Sequence, residues 1–113
     1  MSIPSINLKA GMPVVRDALA AMEQALARAK AEGHVAIKFV HGYGSSGTGG
    51  DIRIAAQRRL REMEAEGVIR ACIFGEDWGK ADPHAWELLK ARPQFKSDRD
   101  LGRGNRGITV VIL

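Results

Sequence analysis

A chain of 113 residues, 45% apolar and 5% aromatic, has enough hydrophobic material for one small domain with an aliphatic core. No stretch approaches the ~18 apolar residues of a membrane span, and Met1-Ser2-Ile3-Pro4 lacks a signal peptide's basic and apolar regions. A soluble cytoplasmic protein without a membrane partner is therefore expected, and the single Cys72 excludes an internal disulfide. The net charge of +4 is concentrated between Leu89 and Gly107, where Lys90, Arg92, Lys96, Arg99, Arg103 and Arg106 face only Asp98 and Asp100. A local basic patch of this kind suits a polyanion such as DNA or RNA.

Residues 1–4 read as a flexible N-terminus and residues 5–113 as one domain. Ser5-Ile6-Asn7-Leu8 is a short strand. Pro13 then opens a helix near its first position, where a missing N–H costs little. Val15, Leu19, Met22, Leu26 and Ala29 recur at steps of four and three along one face, and Gly33 ends the helix. Val35 to Val40 is almost continuously apolar, which predicts a strand covered on both faces or lying in a parallel sheet.

The turn His41-Gly42-Tyr43-Gly44 and a run of small residues follow, with glycines at 42, 44, 47, 49 and 50. Glycine lets the backbone come close to a ligand, and amides beside a helix N-terminus make an anion site. A Walker loop is not present, because Gly50 and Asp51 stand where Lys and Ser/Thr belong. Gly42, Gly44 and Gly47 have dinucleotide-loop spacing, yet no acidic residue ends a strand about 20 residues on. Asp51 is expected to cap the second helix, whose inner face is Ile52, Ala56, Leu60 and Met63 and whose end is Gly67.

Val68 to Phe74 is a third strand. Trp78, in the loop after it, reads either as an exposed aromatic or as a loop anchor. Asp82-Pro83 starts a short helix through Leu89, and Ile108 to Leu113 is a β-branched strand. The order is β-α-β-α-β-(short α)-β, an α/β pattern. Alternation of this kind favours a parallel sheet, with ligands at the carboxyl ends of the strands. His41, the glycine loop and Lys9 all fall on that edge. His34, His84 and Cys72 lack metal-ligand spacing, and Glu76, Asp77 and Asp82 read as a solvated acidic loop, so no metal site is expected.

His41-Gly42-Tyr43-Gly44 after an apolar strand, combined with Gly107-Ile108-Thr109-Val110 near the end, resembles the Smr (small MutS-related) domain over roughly Ile6 to Leu113. The resemblance implies an α+β two-layer sandwich: a mixed four-stranded sheet, two main helices on one face, and an antiparallel last strand. It also implies binding to DNA or RNA, and nicking or endoribonuclease activity in several members. By the same resemblance, His41, Gly42, Tyr43 and Gly44 lie at the nucleic-acid face. Nuclease members carry Leu-Asp-x-His-Gly at the end of strand one, where this chain reads Ile6-Asn7-Leu8-Lys9-Ala10. Asn cannot act as a general base, and Lys is charged where His would titrate near neutrality.

The expected function is thus nucleic-acid binding with doubtful nuclease activity. Lys9, His41, Gly42, Tyr43, Gly44, Gly47, Arg53, Arg103 and Arg106 are the expected contacts, with Tyr43 either stacking on an unpaired base or covering the sheet edge. His41 stands open between acid/base, phosphate contact and structural cap. One alternative is a metal-dependent DNA-nicking or RNA endonuclease using His41 with Asp51 or Asp100, the only case that calls for a cofactor, magnesium. The other is a protein-interaction module that has lost nucleic acid.

Overall fold

The computed structural model describes residues 2–43 and 48–113. Strand β1 (Ser5–Asn7) is short because the Asn7 side chain turns back on the chain, its Oδ1 accepting the Lys9 N–H at 3.0 Å. Helix α1 (Val15–Ala31) buries Met22, Leu26 and Ala29 of the stripe its periodicity predicts, leaves Val15 and Leu19 partly buried, and adds Ala18 to the core. It stops at Gly33, whose φ of +79° lets Gly33 N–H reach Lys30 O and His34 N–H reach Ala29 O. Helix α2 (Thr48–Ala65) ends in the same way at Gly67. Its start is three residues before the expected cap, so Asp51 lies in the first turn, where a carboxylate still complements the helix dipole.

Strands β2 (Ala36–Val40), β3 (Ala71–Phe74) and β4 (Ile108–Ile112) complete a four-stranded sheet of order β1-β2-β4-β3. β1 runs parallel to β2, and β4 enters antiparallel between β2 and β3. The sheet is therefore mixed rather than parallel. The continuous apolar runs reflect two covered faces instead. On one face Ile37, Phe39, Cys72 and Val111 pack with the inner stripes of α1 and α2. On the other, Ala71, Ile73, Val110 and Ile112 pack with Trp78, Phe95 and helix α3 (Pro83–Ala91). α3 begins as expected, with Pro83 in its first turn and Asp82 Oδ1 accepting the Ala85 N–H at 3.0 Å. Two 3₁₀ turns, Gly75–Asp77 and Pro93–Ser97, flank it.

The expected flexible N-terminus gives way at Ile3 and Pro4. Ile3 is buried, and Pro4 O accepts the Lys38 N–H at 2.8 Å, fastening this segment to the edge of β2. No helix among the described residues is long and apolar enough to cross a membrane.

Candidate functional site

The carboxyl end of β2 and the amino end of β4 meet at one point. Gly107 O accepts two N–H groups there, from His41 at 3.0 Å and from Gly42 at 3.1 Å. The Gly42 amide is thus already used by the fold. Gly42 takes φ +79°, and the Lys9 side chain runs beside it, with Cδ 3.2 Å from where a β-carbon would stand.

His41 lies beneath this junction with no solvent exposure. Carbonyl oxygens only accept, so its Nδ1–H donates to Gly42 O at 2.9 Å, which leaves Nε2 as the acceptor in the neutral ring. Thr109 Oγ1, 2.9 Å away, donates to Nε2 and accepts a Gln57 Nε2–H at 3.2 Å. Gln57 Oε1 in turn accepts from Arg53 Nη1 at 3.4 Å. This chain of polar groups ties α2 through β4 to the turn after β2. Burial pushes His41 below the ordinary imidazole value of 6.5. The Gly42 bond opposes that shift, Arg53 adds to it, and Glu76 opposes it. A neutral ring with both nitrogens engaged links the turn after β2 to β4 and α2.

Above the junction Tyr43 is half exposed. Two guanidinium groups lie over its ring, Arg53 at 5.9 Å and Arg106 at 5.6 Å from the centroid. Arg106 Nη1 also donates to the Tyr43 hydroxyl at 2.8 Å. The fold therefore gathers Lys9, Gly42, Tyr43, Arg53 and Arg106, from four places in the sequence, at one end of the sheet. Among the described residues, the buried Arg53 Nε has no hydrogen-bond partner. Arg103 is exposed on the turn before Asn105, without a hydrogen bond or ion pair to this group among the described residues. Gly44 and Gly47 lie outside the described residues.

A second polar assembly, unforeseen in the sequence, lies on the opposite face of the sheet. Lys38 is buried within β2, and its ammonium group bonds both Asp98 oxygens, at 2.8 and 2.9 Å, and Asp100 Oδ2 at 2.7 Å. The Trp78 indole N–H donates to Asp98 Oδ2 at 2.9 Å, which makes Trp78 a buried loop anchor. Asn105 Nδ2 donates to Asp100 Oδ1 at 3.0 Å, while Asn105 Oδ1 accepts the Gly107 N–H at 2.9 Å. Burial opposes ionisation of Asp100, but the bonds from Lys38 and Asn105 outweigh it and hold the carboxyl below its ordinary value. These bonds pin the basic stretch 96–107 to the sheet. The signal was available: a lone lysine in an apolar central strand needs a buried partner, and Asp98 and Asp100 are the two carboxylates of that basic stretch.

Among the described residues, no group of three or more His, Cys, Asp or Glu side chains converges as a metal site would. Asp100 accepts bonds from Lys38 and Asn105, and Asp51 is exposed in the first turn of α2.

No protein-family model matches the chain, and no curated protein matches it. Its architecture does match a solved structure, the Smr domain of Thermus thermophilus MutS2. The TM-score is 0.60 at 24% identity, and the match covers 98% of both chains. The chain has an Smr-like fold. The inserted antiparallel β4 and the two main helices on one face agree with what that likeness implies. In this Smr-like domain α3 and the 3₁₀ turns also cover the second face.

Proposed function

We propose that this Smr-like domain binds nucleic acid at the end of the sheet that carries Tyr43. The observation that carries the reading is Tyr43 itself, half exposed beneath Arg53 and Arg106, with Lys9 alongside the same turn. An aromatic ring offers a stacking surface to any unpaired base, and cations around it meet the flanking phosphates. In this reading Lys9, Arg53 and Arg106 make phosphate contacts, and Arg103, Gly44 and Gly47 are proposed as further contacts. Gly42 and His41 act from beneath by fixing the turn.

The domain binds without efficient cleavage. Asn7 spends its side-chain oxygen on the Lys9 N–H, and the His41 ring is neutral, buried and bonded at both nitrogens. Neither is placed to move a proton at a phosphate. The test is a titration of labelled single-stranded RNA and branched DNA at low and high salt with magnesium present, each sample run on native and denaturing gels. A salt-sensitive shift with intact nucleic acid supports the reading. Cleaved product refutes the non-catalytic part, and absence of any shift at low salt refutes the whole.

A further inference from the structure

An open cleft of about 450 Å³ lies on the face of the sheet opposite His41. Phe95, Val40 and Ile108 give it apolar walls, Lys38, Asp98 and Asp100 lie at its base, and Arg99 stands exposed among its lining. It shares the strand end with the Tyr43 group: Val40 precedes His41, and Asn105, also in the lining, holds Gly107.

The base of the cleft is unusual in its charge. Two carboxylates share one ammonium group, which leaves a net negative charge among side chains 5%, 7% and 13% exposed. Apolar residues would fill that volume without the cost of desolvating three ions, so stability alone does not account for the trio. Bond counting then separates the two acids. Asp98 Oδ2 already accepts from Lys38, Trp78 and the Asp100 N–H. Asp100 accepts one bond at each oxygen, from Asn105 at Oδ1 and from Lys38 at Oδ2. A carboxylate oxygen has two lone pairs, so Asp100 keeps one acceptor position on each. Its side chain is also the more exposed of the two, at 13% against 7% for Asp98.

We infer that the cleft receives an unpaired guanine base, read by Asp100. Guanine presents two adjacent N–H donors, N1–H and N2–H, matching the two free positions of one carboxylate. Uracil turns carbonyl oxygens to either side of its single N–H, and neutral adenine and cytosine place a ring acceptor beside their amino group. The volume accommodates a base with its sugar, the apolar walls take the ring, and Arg99 suits the attached phosphate. The inference rests on the nucleic-acid reading and adds a base preference to it.

The test uses fluorescence anisotropy with the intact domain, a labelled uridine oligomer, and the same oligomer carrying one central guanosine or adenosine. The guanosine oligomer is expected to bind about tenfold tighter or more, the discrimination of one good bidentate pair. Asp100→Asn converts an acceptor pair into a mixed donor and acceptor and should erase the preference. Ser5→Phe fills the cleft from β1, where Ser5 is the register partner of Lys38, leaves Asp100 in place and should erase it too, which keeps the test valid where Asp100→Asn fails to fold. Equal affinity for the three oligomers overturns the inference and leaves the nucleic-acid reading standing. Absence of binding to any of them overturns both.

Discussion

Replacing Thr109 with valine isolates the buried chain of hydrogen bonds beneath the candidate interface. The two side chains have nearly the same shape, and valine favours a strand, so packing and propensity change little. What is lost is the hydroxyl, which donates to His41 Nε2 at 2.9 Å and accepts from Gln57 at 3.2 Å in a position without solvent exposure. Each buried polar group left without a partner costs about 1–3 kcal/mol. With two groups orphaned and the desolvation of the hydroxyl itself relieved, Thr109→Val should destabilise the domain by roughly 2–4 kcal/mol. Thr109→Ser keeps the hydroxyl and removes one methyl group, for about 1 kcal/mol. Urea unfolding of the three proteins at neutral pH measures both values, provided the m-values agree. If the valine variant proves as stable as the serine variant, or more so, the hydroxyl is not the link described above.

Other outcomes follow from the same geometry. Because His41 is held below 6.5 in the fold, the unfolded chain takes up a proton first as the pH drops. Stability should then fall from pH 6.5 downward until the folded state also protonates, and level off below that. His41→Gln should flatten this segment of a plot of melting temperature against pH. Tyr43→Ala should weaken binding to a single-stranded oligomer by about 1–3 kcal/mol while Tyr43→Phe stays close to wild type, as a competition titration would show. Lys38→Met strands two buried carboxylates and should cost about 3–5 kcal/mol in urea unfolding. A β-carbon on Gly75 would sit 1.7 Å from Asn105 O, so Gly75→Ala should lower the melting temperature by displacing the segment that holds Asp100 and Gly107.

Periodicity made most of the fold legible. Val15, Leu19, Met22, Leu26 and Ala29 mark the inner face of α1, and the glycines at 33 and 67 mark helix ends because only a left-handed residue closes those turns. The direction of β4 was not written in its own residues. A β-branched run pairs either way, and the antiparallel placement came from the resemblance. The start of α2 was misplaced because Asp51 is a strong cap residue whose helix had already begun over Thr48, Gly49 and Gly50. Strand ends and turn chemistry placed Lys9 and Tyr43 at this end of the sheet, and Arg53 stood out two residues past the expected cap of α2. The pairing of Arg106 with Tyr43 spans 63 positions, and that of Lys38 with Asp100 spans 62. Such contacts follow from the three-dimensional path of the chain, which local sequence patterns do not encode.

The salt dependence of affinity tests the central claim most directly. Anisotropy titrations of a single-stranded oligomer over a range of salt concentrations should give a straight line of log affinity against log salt. Its slope should weaken by about 0.7 in each of the variants Lys9→Gln and Arg106→Gln, the value for one phosphate contact on a single strand. A line of unchanged slope in both variants, or an affinity indifferent to salt, would contradict the assignment of this end of the sheet to nucleic acid.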